Sequence, residues 1–239
     1  MTQHAVLNNV DHKDLRVITE HGEKWGDATQ CALTFAAEFL QVQGHYPVFF
    51  VADRQNDTFH ALAMFGFAEN ENLFLSSKGW NANYIPLSMA LKPFLIGQSG
   101  DTDQLTIHID LDSPRISLSE GEPVFLRHGG TSPFLDDVSE RLGTLHQGLE
   151  QNAAFIAAMK NHELLEPFTL DVEFVDGANS HVAGYYTINE EKLDTLDPES
   201  LAELQKKGFL KAAYMVIASM VQIRALIERR NAVITSARA

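Results

Sequence analysis

His108-Ile109-Asp110 carries the most specific chemistry in this chain. On an extended strand, residues two apart share a face, so this imidazole and this carboxylate point the same way. With one distant histidine they would form the two-His-one-carboxylate set that holds iron in non-heme oxygenases. His162 and His181 are the candidates for that third ligand. A lone His-x-Asp also arises readily by chance among 10 histidines and 32 acidic residues. No arginine follows either distal histidine closely enough to hold a co-substrate carboxylate. A non-heme iron oxygenase built on His108 and Asp110, with Fe as cofactor, is therefore the alternative reading rather than the leading one. His45, near the aromatic region around Trp80, has the chemistry of a general base, but a polar cap at the start of a strand is its commoner use. Cys31 is the only cysteine, which excludes an intrachain disulfide and a zinc-thiolate cluster. It sits among apolar residues and reads as a buried thiol rather than a nucleophile. The chain has no Gly-x-Ser-x-Gly, no Gly-x-x-x-x-Gly-Lys-Ser/Thr and no Gly-x-Gly-x-x-Gly. Gly129-Gly130-Thr131 reads as a short flexible turn.

The elements that would position these residues are strand-rich first and helix-rich later. Leu15 to Ile18 is a short strand. Thr29 to Gln43 places Leu33, Ala36, Ala37 and Leu40 at the i, i+3, i+4, i+7 spacing of one helical face, which predicts a helix. Pro47 to Ala52 and Phe59 to Phe67, joined through Arg54-Gln55-Asn56-Asp57, predict a hairpin. Glu71 to Ser76, Leu105 to Leu111 and Glu122 to Leu126 are further extended runs. From Ser132-Pro133, a cap followed by a proline at the first helical position, a long helix is expected. Its Leu135, Val138, Leu142, Leu145, Leu149 and Ile156 recur at three- and four-residue steps. That pattern suits one long helix packed on its own core, and a homodimer through helix 133–160 is the rival reading. Phe168 to Val175 and His181 to Ile188 predict a second hairpin around Asp176-Gly177. Asp197-Pro198 starts another helix that Gly208 ends. A last helix is expected from Phe209 to Arg230, with Leu210, Ala213, Ile217, Met220 and Val221 inward. The sum is an α+β fold, with antiparallel strands in the N-terminal and middle parts packed with helices and a helical C-terminal part. A single domain over 1–239 is expected, strand-rich over 1–130 and helix-rich over 131–239.

Composition narrows the function classes. The 239 residues are 45% hydrophobic and 21% charged, ordinary for a globular protein with a real core. A net charge of −14 disfavours nucleic acid as a partner, because a phosphate backbone repels such a surface. It also disfavours an anionic membrane leaflet. Arg224, Arg229 and Arg230 form the only dense basic group and read as a solvated helix end. Met1 to Lys24 is polar and lacks the apolar region of a secretory signal, so a cytoplasmic location is expected. A spanning helix needs about 20 consecutive apolar residues. The longest stretch here, Ala212 to Ile223 between Lys211 and Arg224, has 12, and no membrane insertion is expected.

The segment from His45 to Phe94 resembles the SapC family of bacterial proteins. The resemblance rests on His45-Tyr46-Pro47-Val48-Phe49-Phe50, Glu71-Asn72-Leu73-Phe74-Leu75, Gly79-Trp80, Tyr84-Ile85-Pro86 and Lys92-Pro93-Phe94. It extends through Asp110-Leu111-Asp112-Ser113-Pro114 and Leu165-Glu166-Pro167 to Gly184-Tyr185-Tyr186 and Ser219-Met220-Val221-Gln222. The family often carries paired arginines before the Pro-Phe, where this chain has Ala90-Leu91-Lys92, so an anion-contacting role there is in doubt. The resemblance implies no agreed activity. It implies an accessory role beside halogenase-like proteins or outer-membrane receptors, while a surface-layer role conflicts with the polar N-terminus. The leading expectation is a non-enzymatic accessory protein that binds a protein or peptide partner. Its expected contact residues are His45, Tyr46, Trp80, Tyr84 and Phe94. Trp80 and Tyr84 carry large apolar area with polar tips and would meet on one side of a helical or turn-like path.

Overall fold

A computed structural model of the chain describes residues 3–98 and 105–238. Met1 and Thr2, the start of the polar N-terminal segment, lie outside the described residues. In chain order the strands and helices of the first half are β1 (His4–Val6), β2 (Arg16–Val17), β3 (Cys31–Thr34), α1 (Phe39–Val42), β4 (Val48–Asp53), β5 (Thr58–Met64), β6 (Leu75–Ser76), β7 (Gly79–Trp80), α2 (Leu87–Ala90), β8 (Phe94–Gln98), β9 (Leu105–Asp110), β10 (Ile116–Ser117) and β11 (Glu122–Pro123). The long α3 (Pro133–Asn161) follows, then β12 (Leu165–Glu173), β13 (Asn179–Ile188), α4 (Glu190–Asp194), α5 (Pro198–Lys206), α6 (Phe209–Ser219) and α7 (Gln222–Ser236). The fold is α+β, as expected.

The residues group into two compact units. The first comprises residues 1–28, 75–81 and 87–147. Its β9 lies between β1 and β8, and Ile109 near the end of β9 is fully buried. β2 lies between β10 and β11. The core joins Leu15, Val17, Phe94, Ile109 and Val124 to Leu135, Val138 and Leu142 of α3. Ser132 starts α3 as anticipated, its Oγ accepting from Leu135 N at 3.1 Å. The seam residues Leu135, Val138 and Leu142 are buried in the chain's own core, so a homodimer through this helix would have to use its other positions.

The second unit comprises residues 29–74, 82–86 and 148–239. Its sheet runs β12-β13-β4-β5-β3, antiparallel at each pairing. The expected hairpin is present, with Val48 opposite Ala63 and Asp53 opposite Thr58. So is the second, over β12 and β13.

Two expected helices differ. Cys31–Thr34 is a strand, paired with Ala61 to Met64, and only Phe39–Val42 is helical. The helix-spaced positions Leu33 and Leu40 are 40% and 49% exposed, whereas Ala32, Thr34, Phe35, Phe39 and Val42 are buried. Burial of the period-two set, completed by a sheet edge, overrides the helical spacing. The final helix breaks between Ser219 and Gln222. Ala213 is buried as expected, but Val221, also expected to face inward, is 68% exposed, and Ala212, Val216 and Leu226 join Ala213 in the core. By length and composition, the stretch Phe209–Ser236 is long and apolar enough to cross a membrane. The shorter run read from the sequence was bounded by the charged Lys211 and Arg224, and the longer stretch includes both.

Candidate functional site

Arg115 is the largest fully buried side chain of the described residues, at 2% exposure. The acidic turn Asp110 to Pro114 delivers it from the end of β9 to the start of β10, with Ser113 Oγ accepting from Arg115 N at 3.3 Å. A guanidinium so buried must find acceptors on every side. Nη1 donates to Ile18 O at 2.9 Å and Glu20 O at 2.6 Å. Nη2 donates to Asp27 Oδ1 at 2.8 Å and Oδ2 at 2.7 Å. Asp27, fully buried, also accepts from Gly22 N at 2.9 Å. Residues 18 to 27 therefore wrap around one cation. Arg115 Nε is a buried donor with no partner among the described residues.

His21 is the member of this cluster that reaches solvent, its side chain 18% exposed. Its Nδ1 lies 3.1 Å from Asp27 Oδ2 and 3.3 Å from Arg115 Nη2. Burial raises the Asp27 pKa, but hydrogen bonds from His21, Gly22 and Arg115 and the Arg115 charge outweigh it and hold the carboxyl below its ordinary value. An ionised Asp27 selects the His21 tautomer with the proton on Nδ1, leaving Nε2 as the acceptor. The ring stands edge-on to Trp80, centroids 5.6 Å apart and planes at 80°. Lys92 closes the cluster, Nζ donating to Gly26 O at 3.3 Å. Burial pulls its pKa down and Arg115 adds to this, while Asp27 opposes it.

Beside this cluster opens a cleft of 820 Å³, lined by residues 20–24 and 76–79. β6 and β7 supply one part of the lining, Leu75 opposite Trp80 and Ser76 opposite Gly79. The lining carries both signs of charge, Glu20 and Glu23 against Lys24 and Lys78. Ser76 Oγ donates to Gly79 O at 3.0 Å and accepts from Lys78 N at 3.2 Å, which makes it a link within its own turn rather than a nucleophile.

The residues singled out from the sequence fall in different places. Trp80, on β7, is half-buried at His21. Phe94 is 4% exposed in the first unit's core, 5.9 Å from the Phe134 ring. In the second unit, Tyr46 is fully buried among Phe65 and Phe74, and its hydroxyl donates to Tyr84 O. Tyr84 is half-buried and donates to Glu38 Oε1 at 2.8 Å, and Glu38 Oε2 accepts from Thr34 Oγ1 at 2.6 Å. His45 is half-buried, edge-on to Tyr46 at 5.9 Å. His45, Tyr46 and Tyr84 thus belong to one packed region, and Tyr46 and Phe94 present almost no area to a partner. Trp80 is the last residue of β7, in the first unit.

His108 and Asp110 do share a strand, as their spacing required. His108 Nε2 lies 3.1 Å from Thr106 Oγ1, and Asp110 Oδ1 accepts from Asp112 N at 3.1 Å. No group of three or more His, Cys, Asp or Glu side chains able to hold a metal gathers among the described residues. His181, one proposed third ligand, instead meets Asp171 Oδ1 through Nδ1 at 2.6 Å.

His21, Asp27 and Arg115 escaped the sequence reading. Asp27 and Arg115 are 88 positions apart, and nothing local marks them as partners. The one signal was Arg115 directly after the acidic strand-end segment. In comparison with known proteins, a family model, SapC, matches residues 7–226. No curated protein and no solved structure matches the chain.

Proposed function

The chain belongs to the SapC family, and from that premise we propose that it is a non-enzymatic accessory protein that binds a polypeptide segment of a partner in the cleft beside His21. The observation that carries this reading is the cleft's construction. It is open, it presents carboxylates, ammonium groups and hydroxyls together, and an aromatic residue stands against its histidine. Mixed signs with hydroxyls suit a polypeptide, which offers donors, acceptors and both charges, better than a ligand of one charge. The buried Arg115–Asp27 pair holds residues 18–27 in place before any partner arrives, which lowers the ordering cost of association. Trp80, packed against His21, supports the cleft's histidine from behind the lining.

The test places a photo-crosslinking amino acid at the exposed Ser77 in the native host. The expected result is a defined protein adduct whose yield falls in Lys78→Glu and in Trp80→Ala, with the melting temperature of Lys78→Glu unchanged. Adducts unaffected by either substitution, or none at all, would remove the cleft as the contact surface. A Trp80→Ala protein that unfolds would assign Trp80 to the core, and Lys78→Glu alone would then decide.

A further inference from the structure

We infer that the second unit carries a separate binding site for a small organic carboxylate, seated at the N-terminus of α6. This site is independent of the cleft beside His21. A cavity of 290 Å³ lies among residues 36–41, 148–152 and 207–215. The 11-residue α6 starts there after Gly208, whose φ of 75° turns the chain into the helix, and no side chain caps it. The first-turn N–H groups of a helix have no intrahelical acceptor, and together with the macrodipole they favour an anion.

A second, independent observation comes from α3. Asn152 is 6% exposed and lines the same cavity. Its Oδ1 accepts from Ala36 N at 3.1 Å, which sets the orientation of the amide. Nδ2 is left as a donor with no hydrogen-bond partner among the described residues. It is not sealed from solvent, so on an otherwise buried residue it is the edge of the amide open to an acceptor in the cavity.

The remaining lining identifies the ligand class. Two lysines border the cavity, but Lys207 is held by Glu203 at 2.7 Å. That leaves Lys211, at the cavity and without an ion pair among the described residues, to match one negative charge. The other lining side chains include Ala37, Leu40, Phe209 and Met215. One cation, one amide donor and a helix terminus beside an apolar wall fit a monoanionic head with an apolar substituent. A phosphate, with more charge and no apolar part, uses this lining less well.

Calorimetric titration of the full chain with octanoate, with inorganic phosphate as comparison, tests the assignment. The expected result is saturable binding of one octanoate per chain. Lys211→Glu, which reverses the charge while suiting the helix N-terminus, is expected to weaken binding by about tenfold or more. Ala37→Trp, at an exposed position on the rim, is expected to abolish it. Asn152→Leu also removes the bond to Ala36, so its binding is compared at matched folded fraction. Absence of saturable octanoate binding, or binding indifferent to both Lys211→Glu and Ala37→Trp, would overturn the site. Phosphate binding tighter than octanoate would overturn the ligand class.

Discussion

Arg115 has no water to turn to, and its charge is tolerable only because Asp27 and two backbone carbonyls face it. Removing one partner of such a pair leaves the other buried and unmatched, at a cost of about 3–5 kcal/mol. Asp27→Asn is accordingly expected to lower the unfolding free energy by that order, measured by chemical denaturation at neutral pH. The same carboxyl makes stability depend on acid. Its folded pKa lies below the ordinary 3.8, so its contribution is fully present above that value and is lost as pH falls through the depressed folded pKa. The wild-type chain should lose stability more steeply below pH 3.8 than Asp27→Asn, in melts taken stepwise into acid. Equal slopes for the two proteins would show that Asp27 is not held as described.

At the scale of elements, short strands survive here because tight turns hold them. β2 has only Arg16 and Val17, yet it joins two neighbours. Gly121 makes the return possible. Its φ is +87°, and a Cβ there would lie 2.3 Å from Val17 O. No side chain fits that approach, and the left-handed backbone adds its own penalty. Gly121→Ala is expected to destabilise the first unit by at least about 1–2 kcal/mol. Amide exchange should show lost protection at Ile18 and Val124, because Ile18 N donates to Arg115 O and Val124 N donates to Leu15 O. Unchanged protection there would mean that the turn relaxes freely.

At the scale of the whole molecule, each compact unit draws on distant parts of the chain. The five-stranded sheet makes the point, since β13 pairs with β4, Tyr186 opposite Phe50. Cutting the chain between residues 130 and 131 would strip β13 of that neighbour and separate α3 from Leu15, Val17 and Val124. Fragments 1–130 and 131–239, made separately, are expected to lack cooperative melting, whereas co-expression should restore it. Independent folding of either fragment would disprove the interdependence. Location is the second question at this scale. The burial of Ala212, Ala213, Val216 and Leu226 inside the second unit predicts recovery in the soluble fraction after cell lysis. The apolar groove of Phe168, Leu170, Val221, Ile223 and Ile227, in a chain whose Phe209–Ser236 stretch could span a bilayer, names the rival. Recovery mainly with membranes would favour it.

The sequence by itself determined whatever rests on neighbours along the chain. The cap at Ser132, the Asp197-Pro198 start of α5, both long hairpins and the strand carrying His108 and Asp110 are all local signals, and each stands in the structure. Tertiary structure decided the rest. Cys31–Thr34 has helical spacing and forms a strand, because β5 offers an edge that buries Ala32 and Thr34. The run after Gly208 breaks at Met220 and Val221 although its apolar pattern continues. Tyr46 and Phe94 look like contact aromatics and are core, since aromatic residues serve both uses and only packing separates them. The cluster of His21, Asp27 and Arg115 was the least legible feature. Electrostatic pairing in a buried site depends on distance through space, and that distance exists only once β2 and β10 have come together.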